Sequence, residues 1–174
     1  RRGDEMLAIY SKFLDKLETL EKILLAASSA AMVVIIVYQV ILRYCFNASN
    51  SWSEELARYL FIYDVMLAAS IAIRKNSHLQ VDFLINLLKP KQKAAFTSVA
   101  TVLGIVFLGF LFSYSLTLCT AAGANISPGI KVSMAVPYAS MPIGVVLMIL
   151  TSIEVVLKNL AFLYKGIDKE AGSV

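Results

Sequence analysis

Between Lys22 and Arg43 the chain runs for twenty residues without a charged side chain. An α-helix rises ~1.5 Å per residue, so such a run crosses the ~30 Å hydrocarbon core of a bilayer. Residues 23–42 are therefore expected to form a transmembrane helix, and three further apolar runs follow at 54–73, 94–118 and 135–157. Composition agrees: 59% of the 174 residues are hydrophobic and 16% are charged, against ~45–50% and ~25% in a soluble domain. The expected fold class is an all-α integral membrane protein, a single domain over 1–174 with four transmembrane helices plus amphipathic interfacial helices.

The segments between the spans follow helical patterns of their own. In 4–22, Tyr10, Phe13, Leu14, Leu17, Leu20 and Leu24 recur at helical spacing, with Lys12, Asp15, Lys16, Thr19 and Lys22 on the other side. Such a helix lies in the interface plane or runs on into the first span. In 78–89 a polar stripe of Lys75, His78, Asp82, Asn86 and Lys89 faces an apolar remainder, which reads as a second interfacial helix ended by Lys89-Pro90-Lys91. The small residues Ala26 to Ala31 allow another helix to approach the first span closely. Gly104 and Gly109 thin the long third span, and Asn125, Ser127, Pro128 and Gly129 supply turn chemistry after it. In the fourth span Pro137 falls in the first turn, where proline is tolerated, whereas Pro142 lies deeper and should kink it. Residues 165–174 form a polar tail whose last few residues are expected to be disordered.

Basic residues set the orientation. With the N-terminus inside, the inner segments carry thirteen Lys and Arg and the outer segments only Arg43, Arg58 and Lys131. Leaving out Arg1 and Arg2 does not change the result, so both termini are expected on the cytoplasmic side. Tyr44, Trp52, Tyr59, Tyr114 and Tyr138 then gather towards the outer boundary. The first apolar run is too long for a cleavable signal peptide and lies behind an amphipathic stretch. Cys45 and Cys119 both fall near the outer face, where oxidising conditions leave a disulfide open. Two unpaired thiols are the favoured reading, since a bridge needs matched geometry.

Residues Ser51 to Asp82 hold the densest chemistry. Ser51 and Glu54 have capping-box spacing, Glu54 and Glu55 suit the positive end of a helix dipole, and Trp52 suits the membrane boundary. Three runs here, Arg43-Tyr44-Cys45-Phe46-Asn47, Trp52-Ser53-Glu54-Glu55-Leu56-Ala57-Arg58 and His78-x-x-Val81-Asp82, resemble in order and spacing the small membrane subunit of TRAP (tripartite ATP-independent periplasmic) transporters, the DctQ-like family. They cover about forty residues. The departure is Asp64, where the family usually carries an apolar residue.

Both acids are spaced to pair with Arg58 on one helix face, so Trp52, Glu54, Glu55 and Arg58 are read either as a self-paired cluster snorkelling to the outer interface or as a docking patch for a partner subunit or a periplasmic protein. Asp64 lies ~18 Å along its helix from Trp52, near the bilayer middle. A carboxylate at that depth is costly unless paired or protonated, so it is read as an inter-helix or inter-subunit hydrogen bond. Arg74, His78 and Asp82 form an inner corner, and Glu154 is expected to pair with Lys158. There is no catalytic set, no metal constellation and no phosphate loop; no enzyme activity, cofactor or nucleic-acid partner is expected. Nor is there a pair of interrupted spans of the kind that build midplane substrate sites.

The residues alone thus indicate an accessory or scaffold protein. The resemblance implies more: a large multi-span subunit that moves substrate by an elevator-like motion, and a periplasmic substrate-binding protein that delivers organic acids such as C4-dicarboxylates or sialic acids. It also implies an ion gradient, typically sodium, and a bacterial inner membrane. The alternative is a small homo-oligomeric ion or proton channel that uses Asp64 as its relay.

Overall fold

A computed structural model describes residues 2–48, 50–75 and 90–171. It contains α1 (Arg2–Cys45), α2 (Ser51–Arg74), α3 (Pro90–Ala122), the short α4 (Ala135–Tyr138) and α5 (Ser140–Ala171). Four of these helices are long and apolar enough to cross a membrane. Among the described residues the one extended pairing is an isolated bridge between Ile126 and Ser133. The protein is all-α and multi-pass. His78, Asp82 and the expected helix 78–89 lie outside the described residues.

Element bounds differ from those expected in ways the backbone explains. Stretches 4–22 and 23–42 are one unbroken helix, because no proline or glycine interrupts residues 4–45. At 44 residues it is ~66 Å long, about twice the hydrocarbon thickness. It stops at Asn47, whose φ of 49° lies in the left-handed region that asparagine tolerates, and the Ala48 N–H turns back to the Leu42 carbonyl at 3.1 Å.

The fourth span is divided. α4 ends at Tyr138 and α5 starts at Ser140, so the break falls at Ala139 and Pro142 is only the third residue of α5. Proline has no N–H to offer the carbonyl four residues back. The Ser140 hydroxyl ties the joint by donating to the Pro137 carbonyl at 2.7 Å. α5 then continues to Ala171, so residues 165–171, expected to belong to a polar tail, are helical.

The helices stand in a row. α5 packs on both α3 and α2, α1 packs mainly on α2, and α1 reaches α5 only lightly. The small core lies where three helices meet: Leu108 of α3 and Val145 and Met148 of α5, with Met66, Ala69 and Ile73 of α2 against them. Gly144 permits the α2–α5 contact, since a Cβ there would meet the Met66 Cβ at 2.6 Å. Away from this seam the large side chains point outward, as with Val33, Val34 and Val37 of α1 and Leu103, Phe107 and Phe110 of α3. Such wide apolar faces belong against lipid or another protein.

Candidate functional site

At the end of α1 and the start of α2, the capping box expected from Ser51 and Glu54 does not form. Asn50, with extended φ of −125°, is the N-cap and makes no side-chain cap, which puts Ser51 inside the helix and Glu54 one place too far along. Glu54 instead accepts a 2.6 Å hydrogen bond from Nε2 of Gln39 on α1. The preceding residue of α1, Tyr38, packs on Trp52 with ring centroids 6.3 Å apart. These two contacts join the helices beside the Cys45–Asn50 turn.

Glu55 reaches the other way, into the connection between α3 and α4. One of its oxygens accepts the Ser127 hydroxyl and the backbone N–H groups of Gly129 and Ile130, the latter two at 3.1 Å. Three donors on one carboxylate oxygen make a fixed anchor for the loop. Gly129 leaves room for it, since a Cβ there would come within 2.8 Å of that oxygen and push the carboxylate aside. Beyond the anchor the chain turns at Lys131 with φ of 59°, and the Ser127 N–H pairs with the Val132 carbonyl. Arg58 remains exposed: both acids expected to pair with it are held by Gln39 and by the loop. The expected patch therefore divides into anchors (Trp52, Glu54, Glu55) and a solvent-facing cation, Arg58, with Arg43 and Lys131 also exposed. Cys45 and Cys119 are free thiols, with the Cys119 Sγ 3.5 Å from the Ala135 carbonyl.

Asp64, midway along α2, is 7% exposed. Its carboxylate accepts the hydroxyls of Ser28 and Ser29 on α1, the second at 2.8 Å. The small residues of α1 let α2 come close enough for that pairing, and a polar group within the bilayer span is thereby satisfied inside the protein.

The largest polar cluster lies at the opposite end and gathers around Arg74. Its Nε donates to Glu154 at 2.7 Å, its two terminal nitrogens reach Glu18 and Asp15, the latter at 2.5 Å, and it also meets the Leu14 carbonyl at 3.1 Å. Glu154 is 1% exposed and further accepts from Ser11 and Lys158. Tyr10 donates to the Leu150 carbonyl, and Ser70 to the buried Glu21. One guanidinium thus joins α1, α2 and α5, a geometry its planar fork of donors suits and an ammonium could not match.

Reading 4–22 by its leucines missed this cluster. Phe13, Leu20 and Leu24 face outward, and the side of α1 turned to the bundle carries Ser11, Asp15, Glu18 and Glu21 beside Leu14. In a bilayer an outward leucine costs nothing, while a buried arginine must find acids, so polar pairing overrides the apolar stripe. The spacing of Ser11, Asp15, Glu18 and Glu21 on one helix face was the available signal. The expected Glu154–Lys158 pair is present at 2.6 Å, but Arg74 is the larger partner.

Among the described residues no group of three or more His, Cys, Asp and Glu side chains could hold a metal ion. These clusters fasten helices; they do not converge on a reacting atom.

Comparison with known proteins agrees over most of the chain. Residues 32–162 match the family described as tripartite ATP-independent periplasmic transporters, DctQ component. The chain is 29% identical over 166 residues to the sialic acid TRAP transporter small permease protein SiaQ of Vibrio cholerae, covering 94% of each. It is 27% identical over 90 residues to the C4-dicarboxylate TRAP transporter small permease protein DctQ of the same species, over 52% of this chain and 39% of that one. A 77-residue stretch is 40% identical to part of the sialic acid TRAP transporter permease protein SiaT of Haemophilus influenzae, which amounts to 44% of this chain but 12% of that permease.

Proposed function

From the premise that the chain belongs to the DctQ family, the small membrane component of tripartite ATP-independent periplasmic transporters, we propose that it is the static scaffold beside which a large permease subunit carries an organic acid across the bacterial inner membrane. The observation that carries the reading is where the charges go. Arg74, Glu154, Glu18 and Asp64 are all engaged in joining this chain's own helices. Among the described residues these charges leave no polar path for a solute, while the broad faces of α1 and α3 stay apolar. A member built this way braces a neighbour and conducts nothing itself. The SiaT match supports a large partner, because there a stretch similar to nearly half of this chain is a small part of a much longer permease.

The substrate class follows from the relatives' names: a sialic acid or a C4-dicarboxylate, driven by an ion gradient, sodium in the first instance. Both termini lie in the cytoplasm, so the Arg74 corner is inner and the Trp52–Arg58 region faces the periplasm. There the exposed Arg43, Arg58 and Lys131 offer positive charge to a periplasmic substrate-binding protein, and Trp52, Glu54 and Glu55 hold the surface that presents it. The channel alternative gains no observation, since both Asp64 oxygens are taken by serines of α1.

The test is reconstitution. Liposomes containing this chain, the large permease and the binding protein should accumulate the acid under an inward sodium gradient, and this chain alone should accumulate none. Uptake by the purified chain without companions would refute the scaffold reading. Reversing Arg58 and Lys131 to Glu should weaken binding-protein docking, read as a severalfold higher half-saturating concentration of that protein. An unchanged value would remove the docking assignment and leave the scaffold reading intact.

A further inference from the structure

A groove of about 310 Å³ opens on the side of the row where α3 crosses α5 and the end of α2. Its walls are almost wholly apolar, with Ile73 from α2, Gly104, Leu108 and Leu111 from α3, and Met148 and Val155 from α5. Along α3 it extends from Ala100 to Leu111, ~16 Å at the helical rise, close to the depth of one leaflet of a ~30 Å hydrocarbon core. An acyl chain of one leaflet has a matching length.

The two ends of the groove differ. Towards Leu111 the lining is apolar. At the other end each lining helix carries lysine: exposed Lys75 two residues beyond Ile73, half-exposed Lys158 three beyond Val155, and Lys91 and Lys93 in the sequence that opens α3. Of the acids beside them, Glu154 is already held by Arg74 and Lys158. Asn159 belongs to the same face of α5, in the series Met148, Ser152, Val155, Asn159 at spacings of four, three and four. Its Nδ2 is buried and has no hydrogen-bond partner among the described residues. A buried donor left unpaired calls for an acceptor.

We propose that the groove is a binding site for one anionic phospholipid. One acyl chain lies along Gly104 towards Leu111, and the headgroup phosphate accepts from Asn159 between the lysines. The site goes beyond the scaffold reading and does not depend on it, because it belongs to this chain's own surface.

Gly104 supplies the test. A Cβ there meets nothing within 4 Å, and the same holds at Gly109, which does not line the groove. Gly104→Phe should therefore fill the groove without displacing the helices, and Gly109→Phe should leave it open. The full chain, extracted in mild detergent and examined by native mass spectrometry, should retain one phosphatidylglycerol. Gly104→Phe should lower that occupancy at least tenfold, and Gly109→Phe should not change it. Asn159→Leu should lower phosphatidylglycerol retention severalfold, and phosphatidylethanolamine should be retained several times less than phosphatidylglycerol in the wild type. Should Gly104→Phe lose helicity by circular dichroism, the smaller Gly104→Leu takes its place. No retained lipid in the wild type, equal retention in the Gly104 and Gly109 variants, or equal retention of the two headgroups would overturn the proposal. So would loss of a co-purifying protein from Gly104→Phe with lipid retention unchanged, which would make the groove a protein contact.

Discussion

Arg74 contributes one charge and meets three acids, drawn from two other helices. Removing the guanidinium leaves Glu18 and the 1%-exposed Glu154 facing each other with only lysines as counterions. Breaking a buried pair from one side costs ~3–5 kcal/mol, so Arg74→Gln is expected to lower unfolding free energy in detergent by that order. Arg74→Lys should recover only part of the loss, since a single ammonium cannot bridge Glu154 and Glu18 together. Asp64 predicts the opposite. Asn at this position keeps an acceptor for the serine hydroxyls, so Asp64→Asn should change stability by less than ~1 kcal/mol and leave reconstituted uptake at wild-type rates. Abolished uptake in that variant would revive a proton relay. What the sequence disclosed at this scale was uneven. Asp64 announced itself as an acid in an apolar run, and its alanine-rich surroundings indicated a helix contact. Arg74 was placed only in a corner with its sequence neighbours His78 and Asp82, because the acids it meets lie about 60 and 80 residues away and distance along the chain hides them.

At the scale of elements, the helices' existence was legible and their ends were not. Twenty uncharged residues specify a span whatever surrounds them. The junction at Ala139 depends on how Pro137, Ser140 and Pro142 share carbonyls, which hydropathy does not register. The acids on α1 were not singled out for a related reason: an apolar stripe marks the side suited to lipid, not the polar residues that an arginine of another helix will draw in. Packing between α2 and α5 turns on Gly144. Gly144→Ala sets a Cβ 2.6 Å from that of Met66, and such overpacking costs ~1–3 kcal/mol. Gly109→Ala, in open space, should be neutral or stabilise by up to ~1 kcal/mol through helix propensity. Thermal melts of the two variants side by side check both. The α3–α4 connection should loosen in Glu55→Ala, which removes the charged acceptor of three hydrogen bonds from the loop. Amide exchange at Gly129 and Ile130 should then rise at least tenfold while the α5 core amides are unmoved.

For the molecule as a whole, the row of helices matters more than any one contact. A closed bundle turns its polar side chains to a central axis; a row has no axis, and its buried charges serve as fasteners between neighbours. Membership of the DctQ family was legible in the sequence from three short runs in order. The fastening around Arg74 was not, being spread over Ser11, Asp15, Glu18, Arg74 and Glu154 with no local motif. Placed beside a moving partner, the row predicts that the two fastened ends fail before the spans do. In the assembled transporter, Arg74→Gln should slow uptake by several-fold while the complex still co-purifies, since α1 can splay from α2 and α5 without leaving the membrane. Loss of the complex itself would show that the same corner is part of the interface.

Helices in single file resemble a fence more than a barrel. A fence is stiff along its posts and compliant across its panels, so a push from one flank is borne by the rails near its two edges, here the Glu55 loop and the Arg74 knot, while the panel between them can bow.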